Sequence, residues 1–277
     1  MSSNSLVSEK WGNLLWKLDQ STGHLTISGS GSMEDFDHGS DCAWSAHKNA
    51  IQSVTIEEGV TSIGSAAFCK CSNLKIVEIP SSVSSIFTEA FADCISLISI
   101  KIPMSVTFIG RGAFIGCSGL KSIEIPQNVT SIGSDAFKGC DSLIQIENGV
   151  KYVVHWAIEC DTSVRTVVLR ADTVGIGCNA FSCCVHLKRM KLPTGVRSIS
   201  TCAFSNCKNL KSIVLPPNLT SIGEMAFYGC NSLKTVLYPK RRADWERASV
   251  GYGNASLLKA LRFGRGNLLL TIKNFFV

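Results

Sequence analysis

"SIGSDAFKGCDSLIQI", residues 131–146, spaces Ile132, Phe137, Cys140, Leu143 and Ile146 at intervals that fit a helix face, a local cysteine motif, or one copy of something longer. Near-copies at 62–77, "SIGSAAFCKCSNLKIV", and at 221–236, "SIGEMAFYGCNSLKTV", decide for the third. Any account of Cys140 must therefore also hold for Cys71 and Cys230. The dipeptide Ala-Phe recurs with its ring at Phe68, Phe91, Phe114, Phe137, Phe181, Phe204 and Phe227, in steps of 23, 23, 23, 44, 23 and 23. A fixed period of this length is the signature of a stacked repeat architecture. The step of 44 is close to two units, and Ile158 can stand in for the missing Phe, with Val164, Val167 and Leu169 at the matching offsets.

Counting from each Phe, a Cys follows three residues later (Cys71, Cys94, Cys117, Cys140, Cys184, Cys207, Cys230) and a Leu six later. Apolar residues stand at plus nine and plus eleven, mostly followed by Pro, and an Ile stands five before each Phe. Alternation as in "SIEIP" has the period of two of a half-buried strand, and Pro ends it because it donates no hydrogen bond to a ladder. The "AFxxC" piece is compact enough for one turn of helix, and the Gly that usually follows the Ile permits the bend into it. A 23-residue unit cannot bury its own apolar side, so neighbours must stack and share a core.

This pattern closely resembles the BspA-like class of leucine-rich repeats, over about 51–239. The resemblance implies an α/β repeat solenoid, a right-handed superhelix with one short parallel strand and a short helical turn per ~23-residue repeat. "WKLDQSTGHLTISGSGSMEDF" resembles that family's N-terminal hairpin cap, within 1–50, and "YPKRRADWERASVGYGNASLLKALRFG" its C-terminal cap, within 240–277. The repeat degenerates at 148–175, where Asn148, Gly149 and Arg170 break the strand-and-proline scheme and could produce a kink.

Composition narrows the function. A formal charge of +6 over 277 residues is mildly basic, far short of the concentrated charge that grips phosphate backbones. No positively charged segment followed by an apolar run marks a signal peptide near the start. No apolar run approaches the ~18 residues of a membrane span; the greasy "NLLLTIKNFFV" at 267–277 is too short and contains Lys273, so the 265–277 tail is expected to be packed or disordered, with a membrane-associating tail as the alternative.

The 13 cysteines invite redox or metal chemistry. Seven lie between the Phe and Leu columns and read as small buried space-fillers. Of the six others (Cys42, Cys69, Cys160, Cys178, Cys183, Cys202), Cys160 and Cys183 share one offset in adjacent repeats, whose strands should lie roughly 5 Å apart, so geometry permits a disulfide there. Zinc needs four converging ligands, and neither "CKC" at 69–71 nor "CNAFSCC" at 178–184 has a matching partner pair.

The five histidines (His24, His38, His47, His155, His186) are scattered, with no general base or activated nucleophile beside them. "SGSGSM" at 28–33 lacks the lysine of a phosphate loop and reads as a turn. "KRRADWER" at 240–247 carries Asp244 and Glu246 and reads as a solvated helix face. Of the sequons at Asn128, Asn218 and Asn254, two are simply repeat consensus.

Strand residues at plus eight and plus ten should face outward: Ser53 and Thr55, Ile76 and Glu78, Ser99 and Lys101, Ser122 and Glu124, Gln145 and Glu147, Arg189 and Lys191, Ser212 and Val214, Thr235 and Leu237. Glu78, Lys101, Glu124, Gln145, Glu147, Arg189 and Lys191 are the candidate partner-binding residues. The expectation is a non-catalytic scaffold for a protein partner, with no catalytic residue, metal, cofactor, nucleic acid or transmembrane segment. The family resemblance implies cell-surface or secreted proteins, several of them adhesins binding host or matrix proteins. The absent leader and the many thiols point instead to an intracellular scaffold.

Overall fold

The computed structural model describes residues 6–36 and 42–264, so the expectation for 265–277 lies outside the described residues. The chain divides into two compact units, Met1–Ile144 and Gln145–Val277.

The first unit opens on an antiparallel meander of Leu6–Trp11, Leu14–Asp19 and His24–Gly29, one strand more than a hairpin. His24–Gly29 then pairs parallel with Ser53–Ile56, and that with Ile76–Glu78; Ser99–Lys101 and Ser122–Glu124 pair in the same sense. A second parallel sheet joins Gly31–Ser32, Val60–Ile63, Ser85–Ile86, Phe108–Ile109 and Ser131–Ile132. Its register sets Ile63 beside Ile86, Ile86 beside Ile109 and Ile109 beside Ile132. Each partner lies 23 residues on, so the sequence period and the ladder register are one quantity.

The expected helical turn is absent from the repeats. Each Ala-Phe arch is instead a pair of tight turns, closed by bonds such as Cys94 N–H to Phe91 O (3.2 Å) and Leu97 N–H to Cys94 O (3.1 Å). Two residues per arch take the left-handed conformation, for instance Glu89 and Asp93 (φ 55° and 57°) or Asp135 and Gly139 (φ 57° and 81°). A helix cannot pass through such residues, so a repeat here consists of two short strands and two turns. Glycine after the Ile has a different task from bending: a Cβ on Gly110 would come within 2.6 Å of the Phe87 carbonyl carbon and the Thr88 nitrogen. The backbone one repeat back occupies that space.

Inside the arches Phe68, Phe91, Phe114 and Phe137 are buried and stack face to face at centroid spacings of 5.2, 5.4 and 5.5 Å, within the range of favourable offset stacking. Trp44 extends the column at 5.4 Å from Phe68, and its indole N–H donates to Ala67 O at 2.9 Å.

The second unit begins differently. Val150–Val153 and Trp156–Cys160 form an antiparallel hairpin, and the second of these strands starts a parallel sheet through Gly175–Ile176, Ser198–Ile199, Ser221–Ile222 and Ser249–Val250. Here the sequence reading fails in one respect. Ala157, not an aromatic residue, pairs with Ile176 and so takes the Ile column, while Ile158 is half-buried and outside the Phe stack. Only 19 residues separate Ala157 from Ile176, too few for the arch. Val167 and Leu169 are nevertheless buried and Val164 packs against the same core. Phe181, Phe204 and Phe227 resume the stack at 5.1 Å each.

The opposite sheet runs Arg189–Lys191, Ser212–Val214, Thr235–Tyr238 and Leu261–Phe263. Short helices Arg242–Trp245 and Ala255–Ala260 close the unit, burying Trp245, Leu257 and Ala260.

Candidate functional site

The residues that looked most chemical are committed to the core. Cys94, Cys117 and Cys140 donate Sγ–H to Phe68, Phe91 and Phe114 O at 3.0 to 3.1 Å, and Cys207 and Cys230 do the same to Phe181 and Phe204 O. Cys71, Cys94, Cys117, Cys140, Cys184, Cys207 and Cys230 are all buried. Burial pushes the Cys71 thiol up to about 12, the opposite of what a nucleophile or metal ligand requires. Cys160 is buried and Cys183 is exposed, on a left-handed residue (φ 60°). These two do not face each other. The thiol of Cys160 instead donates to the Asp161 carbonyl at 3.5 Å. Among the described residues no three His, Cys, Asp or Glu side chains converge as a metal site would need.

One polar cluster surrounds the hairpin. Arg170 grips Asp172 through Nε (3.1 Å) and Nη2 (2.8 Å), donates from Nη1 to Gln145 Oε1 (2.6 Å), and lies 5.1 Å from the centre of the Tyr152 ring. The backbone N–H of Arg170 also donates to the Tyr152 hydroxyl at 3.2 Å. His155 Nδ1 completes the group at 3.0 Å from Asp172. The Arg170 guanidinium, and after it His155, hold the Asp172 carboxyl below its ordinary value. Every member is tied to another, so the cluster acts as a clasp between the hairpin and 170–173.

What remains outward-facing is the strand surface. In the first unit Ile76, Glu78, Ser99, Lys101, Ser122 and Glu124 are exposed on either side of buried Val77, Ile100 and Ile123. Glu124 stands in register with Lys101, and Glu78 accepts from the Thr55 hydroxyl at 3.1 Å. In the second unit Arg189 and Lys191 are exposed. The next strands depart from expectation: Ser212, Val214 and Leu237 are buried at 9, 3 and 4% exposure. Two apolar side chains stand in the outward column there, and an apolar residue gains by being covered. Gln145 and Glu147 are exposed and belong to Ile144–Glu147, which lies in the sheet of the hairpin.

The basic stretch 240–247 also divides. Arg241 lies 3.3 Å from Asp244 and Arg242 lies 3.4 Å from Glu246.

Sequence reasoning missed Asn254, reading it only as a sequon. It is 2% exposed. In the arches the Phe N–H donates to the Ala carbonyl of the following repeat, as Phe204 does to Ala226 O (2.8 Å). Phe227 has no following repeat, and Asn254 Oδ1 accepts its N–H at 3.0 Å while Nδ2 donates to Gly223 O and Gly251 O. The side chain substitutes for a missing backbone.

Paired parallel ladders closed by tight arches, with one aromatic column per unit, define a leucine-rich-repeat type of β-solenoid without helices in its repeats. The BspA type leucine rich repeat region matches 43–158 and 142–249 in 6 copies, and the chain belongs to that family. Among solved structures the chain is similar to a leucine-rich repeat protein from Eubacterium ventriosum, with 24% identity, TM-score 0.46, and coverage of 94% of this chain and 78% of that one. It is similar also to a leucine rich cell surface protein from Faecalibacterium prausnitzii (22%, TM-score 0.32, 90% and 99% covered). The pneumococcal vaccine antigen PcpA is a third (17%, TM-score 0.39, 94% and 82% covered). Comparison with curated proteins gives no match.

Proposed function

We propose that the chain is a non-catalytic protein–protein interaction scaffold, in which repeats within 51–239, held between end caps, present strand side chains to another protein. The observation that carries this reading is the exposed-buried-exposed alternation at Ile76–Glu78, Ser99–Lys101 and Ser122–Glu124. Lys101 and Glu124 then face outward in register on paired strands, about 4.8 Å apart, and Glu78 is exposed on the strand one repeat earlier. Such an extended face suits a macromolecular surface better than a small ligand. Ten of the 13 thiols are buried. Catalysis needs a convergent acid, base, nucleophile or metal set, and turnover that survives repurification yet is lost on one point substitution would overturn this part of the reading.

Photo-crosslinking side chains at Ser99 and Ser122, on the face, and at Lys138, on an arch, test the scaffold directly in producing cells. Discrete heavier species should form from the two face positions alone. Identical products from Lys138, or none from the face, would contradict it.

Family resemblance supports a cell-surface adhesin binding host or matrix proteins, an inference by analogy of fold. A second reading, an intracellular scaffold, is favoured by the buried thiols, since an oxidising compartment selects for bridged cysteines. Protease treatment of intact cells separates the two: the adhesin is cut away and the intracellular scaffold is protected.

A further inference from the structure

The outward column of the second unit is covered where it should be open. The parallel register of its four-stranded sheet sets Lys191, Val214, Leu237 and Arg262 side by side. Side chains alternate across a strand, so these four point away from the face that carries Met190, Ile213, Val236 and Leu261. That opposite face is the apolar core: Met190, Ile213 and Val236 belong to it and Leu261 packs against it. At the two ends of the row Lys191 and Arg262 are exposed. Between them Val214 and Leu237 are buried, as is Ser212 one row over, yet none of the three belongs to that core. A side chain on the solvent side of a sheet is buried only when something lies across it. The matching positions of the first unit, Glu78, Lys101 and Glu124, are charged and exposed.

The chain itself supplies a cover of the right chemistry in the right place. Leu261–Phe263 is the terminal strand of this sheet, and Gly264 N–H donates to Tyr238 O at 2.9 Å. Residues 265–277 therefore leave from the sheet's own edge, one strand away from Leu237. They include "NLLLTIKNFFV" at 267–277, in which seven of eleven side chains are apolar. Reach is no obstacle: the four strands span about 14 Å at their usual spacing, whereas a 13-residue segment extends to roughly 40 Å. Ser212 and Thr235, in register beside the covered pair, are small and leave the face low. Apolar side chains on the sheet and apolar side chains on the segment both gain by leaving water together.

We propose that residues 267–277 fold back across the second unit's sheet as a strap over Val214 and Leu237. While the strap is in place it closes this face of the last repeats to other proteins, and outward binding is left to the first unit. Its release uncovers an apolar strip, so the strap is an autoinhibitory contact built into the end of the solenoid. The inference goes beyond the scaffold reading and does not rest on it. The strap stands or falls at Val214 and Leu237 whether or not a partner binds at Lys101 and Glu124.

The test places a photo-crosslinking side chain at Thr235, half-buried on the same face, and another at Lys208, exposed on an arch of the same unit. Illumination of the dilute, purified full chain, followed by peptide mapping, should join Thr235 to a peptide within 267–277 of the same molecule and should give no such product from Lys208. A second measurement needs no crosslinker. Val214→Lys with Leu237→Lys puts charge under the strap and should speed tryptic cleavage at Lys273 by about tenfold or more, because cleavage follows the population of the open form. Three results would each overturn the proposal: a Thr235 product that maps outside 265–277, a product that forms only between two chains and grows with concentration, or equal cleavage at Lys273 in the parent chain and the variant.

Discussion

At the scale of single residues, the repeat assigns one task to each offset. Phe137 is 1% exposed and stacks on Phe114, so Phe137→Ala removes a buried ring and should cost ~3–5 kcal/mol. Glu124→Ala, on the exposed face, should stay within about 0.5 kcal/mol. Chemical denaturation of the two variants checks the pair, and similar midpoints would contradict the burial assigned here. The thiol column carries a pH signature whose sign follows from its burial. Below pH 9.0, the ordinary value for Cys71, the thiol is protonated in folded and unfolded chains alike. Between 9.0 and about 12 only the unfolded chain ionises there, so stability should fall as pH rises through that window. Cys94 shifts in the same direction. Cys71→Ala should flatten the alkaline slope while lowering stability at neutral pH. The Phe and Cys offsets were legible because each recurs at one spacing; Asn254 was not, because its task occurs once and copies a backbone carbonyl, a likeness that only three dimensions reveal.

At the scale of the element, the arch is where sequence and structure diverge. "AFxxC" has the length of a helical turn, but Glu89 and Asp135 just before it, and Asp93 and Gly139 within it, sit in the left-handed region. Non-glycine residues there carry no periodic signature, and only the scattered glycines at the same offsets, such as Gly112, hint at it. Asp135→Gly should therefore stabilise by about 0.5–1 kcal/mol, whereas Gly139→Ala, at φ 81°, should destabilise by about 1 kcal/mol or more. Thermal melts of the two variants should move in opposite directions, and a shared direction would dismiss the turn geometry. Removing the closing side chain is a harsher change. Asn254→Ala strands the Phe227 N–H and the Gly223 carbonyl, each costing about 1–3 kcal/mol when buried without a partner. Hydrogen exchange at Phe227 should accelerate in that variant ahead of exchange at Phe181. The hairpin at 150–160 was visible in the sequence only as a departure from pattern, since the offsets of Val164, Val167 and Leu169 survive while the residues before them change partners.

At the scale of the whole molecule, one number links sequence to architecture. The 23-residue period appears in the sequence as a spacing and in both units as the register of parallel strands. Charge is distributed unevenly: residues 145–264 carry 16 basic against 7 acidic side chains, while the described residues of the first unit carry 9 against 12. That asymmetry was only faintly legible along the strand face, because it belongs to each unit as a body. It predicts that association of an acidic partner with the second unit weakens steeply with salt. The most direct test of the central claim, that side chains one period apart stack in columns, is the far-UV circular dichroism melt of two deletions. Removing 87–109 joins Ile86 to Gly110, reads "SSIGRGAF" across the junction, and takes out one whole register step. The shortened chain should keep its strand signal and melt cooperatively at a somewhat lower temperature, whereas removing 87–97 alone should abolish the transition. Loss of folding in the 23-residue deletion, or equal tolerance of both, would contradict the stacked columns.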